Sequence, residues 1–305
     1  MPAPHLVPAE PIPLAPDPVA FWIGGFPVHW YGLCYVVGLA ATYLVLVREA
    51  RRRGLDTGVV DRGLAVVTIA GLVGGRIYHV IDQWDRYSDD PLAIVLPPYA
   101  GLGVFGAIIA GALAMVVVMR LWGQSFWRWA DVVAPAAFVM QAVARWGNFF
   151  NQELYGPPTD LAWGITIGCR YRVTQWPCTT YPEATTGFQP LFLYESLSGA
   201  LGAVVLLWVA RRWGSRMRPG DLFLAWVVWY SVVRFALETL RVDNWTVGGM
   251  PTAMIVSTVL AVGALAVFAW RHRPNADADR WGEPPADRGA EVDAAVGPPS
   301  GRPSA

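Results

Sequence analysis

Apolar residues gather into seven long runs along the chain, over 29–47, 61–81, 101–121, 129–148, 190–210, 221–240 and 250–270. Each is close to the roughly 20 residues that a helix needs to cross a bilayer core. Several runs hold Gly and one holds Pro135, which membrane helices tolerate because their neighbours re-satisfy the backbone. The pattern predicts an all-α integral membrane protein, a bundle of about seven transmembrane helices. Residues 1–27 are Pro-rich and free of Lys and Arg. They read as an extracytoplasmic N-terminal segment, since a cleavable signal would open on positive charge. Residues 28–272 form the transmembrane domain, with one large connection, 149–189, whose Trp, Tyr and Pro suit packing on the membrane face. Residues 273–305 lack apolar periodicity and read as a disordered cytoplasmic tail.

Charge then gives the bundle a direction. Arg48, Arg51, Arg52 and Arg53 follow the first run, and Arg120 and Arg128 the third. Arg211, Arg212, Arg216 and Arg218 follow the fifth, and Arg271 and Arg273 the seventh. The intervening turns carry Asp82, Asp85, Asp89 and Asp90 against Arg86 alone, or are long and mixed. Positive residues concentrate in cytoplasmic loops, so the N-terminus is expected outside and the C-terminus in the cytoplasm. Composition agrees: 54% of residues are hydrophobic and 15% charged, against about a quarter charged in a soluble domain. A formal net charge of +0 argues against a nucleic-acid partner, which would select a basic surface. Three cysteines are too few for a disulfide scaffold. Cys34 reads as a small buried hydrophobe, while Cys169 and Cys178 could pair or stay free, depending on the compartment that their loop faces.

Ionisable groups inside a membrane cost about 2.5–3.5 kcal/mol each on insertion scales and usually mark function. Here they crowd the outer ends of the runs. His29 and Tyr31 open the first, Arg76, Tyr78 and His79 close the second, and Arg145, Asn148, Asn151 and Glu153 close the fourth. Tyr194 and Glu195 begin the fifth, and Tyr230, Arg234, Glu238 and Arg241 line the outer half of the sixth. The cytoplasmic ends offer little beyond the arginines that set topology, and Asp131 with Pro135 reads as a helix start. Arg234, Glu238 and Arg241 are spaced i, i+4, i+7, on one helical face with Tyr230 a turn earlier. A Glu there holds two guanidiniums in place, or simply glues helices together. The string Arg145-Trp146-Gly147-Asn148-Phe149-Phe150-Asn151-Gln152-Glu153, then Gly156, is denser than a helix terminus requires. The small residues of 101–107 suit helix packing.

These strings resemble one family. Gly147-Asn148-Phe149-Phe150-Asn151-Gln152-Glu153-Leu154-Tyr155-Gly156, preceded by Arg145, is similar to the defining motif of the prolipoprotein diacylglyceryl transferases. His29-Trp30-Tyr31-Gly32, Gly74-Gly75-Arg76 and Tyr230…Arg234…Glu238…Arg241 fit in the family's order, from about Phe26 to Trp270. The resemblance implies seven helices with the N-terminus outside, in a bacterial plasma membrane, and an active site facing the outer leaflet. It implies transfer of the diacylglyceryl group of phosphatidylglycerol to the lipobox cysteine of a prolipoprotein, without metal or cofactor. Partners would be that lipid, that protein and the bilayer.

Charge grows on the departing phosphate in such a reaction, and arginines aimed there favour the transition state. Arg145 and Arg234 are the expected clamp, with Tyr31 and Asn148 completing the catalytic group. Arg76, His29, Asn151, Glu153, Gly156, Tyr194, Tyr230, Glu238 and Arg241 are the expected substrate-binding residues, Glu238 orienting Arg234 and Glu153 and Gly156 holding the motif's shape. Two departures stand out. Phe105 occupies a place where many members have His, and a His-Pro segment reads Gln189-Pro190. The base that takes the thiol proton is therefore open among His29, His79, Glu238 and water, or a nearby Arg lowers the thiol pKa. A transporter would want polar groups through the full membrane depth, an intramembrane protease a Ser/His, paired Asp or HExxH set. A non-catalytic lipid-binding protein is the remaining rival.

Overall fold

The computed structural model describes residues 11–13, 16–95, 101, 103–241, 244–274 and 280–281. Seven helices fall on the seven apolar runs: α1 Trp30–Arg52, α2 Gly58–Asp82, α3 Val104–Leu121, α4 Phe126–Phe150, α5 Leu191–Trp213, α6 Asp221–Glu238 and α7 Thr252–Arg271. Four segments, Trp30–Arg52, Gly58–Asp82, Leu191–Arg216 and Thr252–Arg271, are long and apolar enough to cross a membrane. The polar groups on α4 and α6 explain why those two differ: Arg128, Asp131, Gln141, Arg145 and Asn148 sit on α4, and Asp221, Arg234 and Glu238 on α6. Helix α4 packs against α1, α5 and α6. Protein rather than lipid covers most of it, which is where polar side chains in a membrane bundle are tolerated.

The packing clusters show how the helices run. Leu46 and Ala50, late in α1, meet Val59 and Val60 of early α2, Val118 and Met119 of late α3, and Trp129 and Val132 of early α4. Leu206 and Ala210, late in α5, meet Leu222 at the start of α6. Arg218, before α6, donates to the carbonyl of Arg271 at the end of α7. The helices therefore alternate, so the starts of α1, α5 and α7 share one end with the last turns of α4 and α6. Between α2 and α3, Gly74 and Gly106 oppose each other so closely that a Cβ on either would collide with the other's carbonyl. The small-residue opening of α3 is thus a packing device, as its composition suggests.

The end of the bundle away from these turns is richer than its sequence suggests. Asp131 lies in the second turn of α4 rather than at its start, and it is fully buried. Its carboxylate accepts from the backbone N–H of Gly220 at 2.9 Å and of Phe223 at 3.0 Å, capping α6 from another helix. It also accepts from the Trp281 indole at 2.8 Å. Buried Glu49 receives Arg52 at 2.8 Å, and Arg53 lies 3.7 Å from Glu49 and 3.9 Å from Asp131. This end thus carries a buried ionic network in addition to its surface arginines, because α1, α4 and α6 converge there and their polar groups can pair. Trp281 belongs to the stretch that composition marks as disordered, yet its ring lies under the guanidiniums of Arg53 and Arg128. Residues 275–279 and 282–305 of that tail lie outside the described residues, as do 1–10 and 14–15 of the N-terminal segment.

Among the described residues there are also three short antiparallel ribbons: β1 Val19–Ile23 with β2 Phe26–His29, β3 Pro158–Thr159 with β4 Gly187–Phe188, and β5 Thr246–Val247 with β6 Met250–Pro251. The connection between α4 and α5 is a small folded unit with a core of Tyr155, Ile165, Ile167, Phe188 and Phe192. Cys169 and Cys178 are disulfide-bonded, with Cα atoms 5.7 Å apart, which answers the question that the sequence leaves open. Ile12 joins this unit, donating to Gly164 O at 2.8 Å and accepting from Thr166 N at 3.1 Å.

Candidate functional site

The last turn of α4 and the chain just beyond it form a hook. Arg145 and Asn148 are three residues apart and so share a helix face. The helix stops at Phe150, and Gln152 and Leu154 take left-handed φ values of 54° and 55°. Non-glycine residues hold that conformation only where their surroundings impose it. Gln152 is buried and accepts the Gly168 N–H at 2.7 Å, while Glu153 N donates to Asn148 O at 3.0 Å. The backbone thereby folds back, and the Glu153 carboxylate accepts from Asn148 Nδ2 at 2.7 Å and from Asn151 Nδ2 at 3.4 Å. Asn148 Oδ1 in turn accepts from Arg145 Nη1 at 3.4 Å. A file of contacts results: Arg145 to Asn148 to Glu153.

Two glycines let other elements reach the hook. A Cβ on Gly147 would lie 3.0 Å from Tyr31 Cδ2 and 3.3 Å from its Cα, so the start of α1 comes as close as it does because residue 147 has no side chain. Tyr31 stacks on Tyr35, hydroxyl oxygens 3.1 Å apart, and lies within electrostatic reach of Glu153 and Arg145. Gly156 N donates to Gln189 O at 2.7 Å, and a Cβ there would lie 3.2 Å from both Gln189 and Leu191. This contact ties the hook to the start of α5.

The first turns of α5 deliver Glu195. Its buried carboxylate meets Arg145 Nε at 2.5 Å, and Gln141 Nε2 supports the same turn by donating to Glu195 O at 3.3 Å. Helix α6 repeats the arrangement: Arg234 lies 2.5 Å from the buried carboxylate of Glu238, one turn on. Helical backbone ends at Glu238, so Arg241 is not the third member of one helical face that its spacing suggests. Its N–H still donates to Glu238 O at 3.2 Å. Burial pushes the Arg241 guanidinium pKa down, as does Arg234, whereas Glu195 and Glu238 hold it up. Arginine remains protonated through such shifts. Arg145 also acts on it, so three guanidiniums and two buried carboxylates share one electrostatic neighbourhood. Positive charge exceeds negative in that set, and Glu153, the third carboxylate, is exposed and held by two amides.

The remaining expected residues are more scattered. Tyr230 stacks on Trp226 within α6, with ring centroids 5.9 Å apart. Tyr194 accepts from the Trp163 indole at 2.8 Å, on the face of the α4–α5 unit. His29 is exposed and, as the last residue of β2, stands at the N-cap position of α1 without a side-chain hydrogen bond to the helix. Arg76 donates to the carbonyls of Ile94, Gly101 and Ala93 and lies over the Tyr87 ring, so it organises the α2–α3 connection. Phe105 faces Tyr78 at a centroid distance of 6.1 Å. Glu195 is the residue whose part the sequence understates. A carboxylate in the second turn of an apolar run was the available signal, because such a group needs a cationic partner.

Comparison with known proteins gives this geometry a context. A family model described as prolipoprotein diacylglyceryl transferase matches residues 18–270. A phosphatidylglycerol–prolipoprotein diacylglyceryl transferase of Chloroflexus aggregans is 37% identical over 275 residues, covering 84% of this chain and 90% of that protein. Proteins of the same name are 35% identical in Halalkalibacterium halodurans, covering 88% of this chain and 91% of the relative, and 38% identical in Symbiobacterium thermophilum, covering 83% and 92%.

Proposed function

Since the chain belongs to the prolipoprotein diacylglyceryl transferase family, we propose that it moves the diacylglyceryl group of phosphatidylglycerol onto the thiol of a prolipoprotein lipobox cysteine, with Arg145 and Arg234 as its phosphate clamp. The reaction is the first step of lipoprotein maturation. It is carried out by a multi-pass bacterial membrane protein, here assigned to the plasma membrane with its site at the outer leaflet. The thiolate sulfur attacks the diacylglyceryl carbon, that carbon's bond to the phosphate oxygen breaks, and glycerol phosphate leaves. The diester bears one negative charge and the departing monoester nearly two, so charge grows on the phosphate in the transition state.

The observation that carries this reading is the pair of arginines, each backed by a buried carboxylate at 2.5 Å. Each carboxylate fixes one edge of a guanidinium, whose five N–H groups in a rigid fork leave donors for phosphate oxygens. Preorganised donors of this kind are each worth about 10²–10³ in rate by analogy with oxyanion holes. Tyr31, Asn148 and Asn151 border the clamp and position the headgroup, and Glu153 keeps the hook closed. Glu238 is engaged by Arg234, which makes it a poor acceptor for the thiol proton. That leaves His29, His79 or water for the task, or a thiol pKa lowered by the guanidiniums themselves.

Two features support an external site. Arginines concentrate at the opposite ends of the helices, and the unit beside the hook holds a disulfide, which persists in oxidising compartments. The test uses purified protein with phosphatidylglycerol vesicles and a lipobox peptide. A peptide heavier by one diacylglyceryl group, with an equal yield of glycerol phosphate, is the expected result. A lipid-binding protein would give neither product.

A further inference from the structure

Two ribbons at the site end share an unusual design. β1 and β2 are joined by Gly24-Gly25 and β5 and β6 by Gly248-Gly249, all four glycines with positive φ (52°, 87°, 59° and 81°). This is the two-residue turn that matches the twist of a hairpin. Neither ribbon carries a charge near its tip: residues 18–28 and 245–251 hold no Asp, Glu, Lys, Arg or His. Yet their large apolar side chains are exposed, Trp22 64%, Phe26 77% and Trp245 78%, with Phe21, Ile23, Val247 and Met250 exposed beside them. In the first ribbon the apolar exposure is on both faces, since neighbouring residues of a strand point opposite ways. A free two-stranded ribbon of this composition would be marginal in water.

Their attachment fixes their height. His29 ends β2 at the N-cap position of α1, and Trp30 N donates to Pro18 O at 3.0 Å, closing the ribbon's base onto the helix. Trp30 then stacks on Phe150 of α4 at 4.9 Å, two residues from Asn148. The second ribbon repeats this at α7: Pro251 ends β6 at the helix's N-cap position, and Thr252 N donates to Trp245 O at 2.7 Å. Both ribbons therefore leave the bundle where a membrane-spanning helix begins, continuous with exposed apolar residues of that helix, Val36 and Val37 on α1 and Val256 and Val259 on α7. Tryptophan concentrates at that level of a bilayer, where a ring can bury its body and keep its N–H wet.

We infer that the β1–β2 and β5–β6 ribbons are interfacial anchors that insert their Trp-bearing tips among the outer-leaflet headgroups and set the depth of the catalytic hook against its lipid substrate. A five-residue strand reaches roughly 15 Å, enough to enter the upper 5–10 Å that interfacial elements occupy. The occupant is a phospholipid surface rather than a peptide, because the tips are uncharged and continue a lipid-facing helix surface. The anchoring rests on the membrane character of the chain, and its effect on the hook rests on the proposed reaction.

The test places a nitroxide at Ile23→Cys, and separately at Met250→Cys, in a Cys34→Ser background of the full chain in phosphatidylglycerol-containing vesicles. A label at Asp160→Cys, on the α4–α5 unit, is the aqueous reference. Collision with dissolved oxygen should exceed collision with a water-soluble nickel chelate at both tips, with the ratio reversed at residue 160. Tips as open to nickel as residue 160 overturn the inference. Tips closed to both reagents also overturn it, pointing to a second copy or a peptide as the occupant. In parallel, Trp22→Ser/Phe26→Ser should lose at least fivefold in turnover of vesicle-embedded lipid and less than twofold with lipid dispersed in detergent. An equal loss in both formats contradicts an anchoring role. A protein inactive in both formats before substitution would count against the proposed reaction, while the label readout would still decide the anchor.

Discussion

Replacing Glu195 by Gln should cost activity through Arg145, and a double-mutant cycle can show it. Glu195 is buried, its side chain 4% exposed, and its carboxylate meets Arg145 Nε at 2.5 Å, while Arg145 is 26% exposed. The amide keeps the volume and one acceptor but removes the charge. Hydrogen bonds to charged groups contribute about 1.5–3 kcal/mol. If that energy holds the guanidinium in its clamping pose, turnover falls about 10- to 100-fold. Arg145→Ala should cost about 10²–10³ by removing the donor outright. Because Glu195 acts through Arg145, the double variant should be no slower than Arg145→Ala alone, a coupling well above the few tenths of a kcal/mol seen for independent sites. Stability should run differently. Arg145→Ala strands a buried carboxylate, at a cost of about 3 kcal/mol, and adding Glu195→Gln should recover most of it. The assay is single-turnover transfer with saturating peptide, alongside thermal unfolding of each variant. Multiplicative losses in the double variant would refute a positioning role for Glu195.

Other outcomes follow from the same contacts. Trp281→Ala removes an indole donor to Asp131 and a ring beneath Arg53 and Arg128, so thermal unfolding should show a loss of about 2–3 kcal/mol with turnover unchanged. Replacing Cys169 and Cys178 by Ser opens a short loop, of sequence separation 9, and should destabilise the α4–α5 unit by about 3 kcal/mol on chain-entropy grounds. Limited proteolysis with and without reductant reads that loss. Gly147→Ala places a methyl about 3.0 Å from the Tyr31 ring. It should lower turnover and cost about 1–3 kcal/mol in thermal unfolding, as overpacking pushes Tyr31 off the hook.

The helices were legible because lipid-facing segments must be apolar over a fixed length, and all seven runs became helices. The hook was legible residue by residue, since Arg, Asn and Glu at the end of an apolar run carry a cost that demands a reason. Its shape was not. The reversal at Gln152 and Leu154 depends on Gly168, sixteen residues along the chain from Gln152, and helical spacing says nothing about such contacts. The same limit hid the Glu195–Arg145 pair, which crosses from α5 to α4. It also made Arg234, Glu238 and Arg241 look like one helical face, although the helix ends between the last two. Asp131 shows the limit from the other side. It reads in the sequence as the start of α4, whereas it lies in the second turn of that helix and caps α6. Short ribbons escaped notice because their Gly-Gly turns sit among prolines and aromatic residues that periodicity over a long window averages away.

The central claim is that two carboxylate-backed arginines stabilise the departing phosphate. The most direct measurement compares wild type with Arg145→Ala and Arg234→Ala under single turnover, using phosphatidylglycerol vesicles and a lipobox peptide and following thioether-linked peptide together with glycerol phosphate. Each variant should bind the lipid within a few-fold of wild type and lose about 10²–10³ in the transfer step. Transfer at the wild-type rate by either variant, or a loss confined to lipid binding, would contradict that claim.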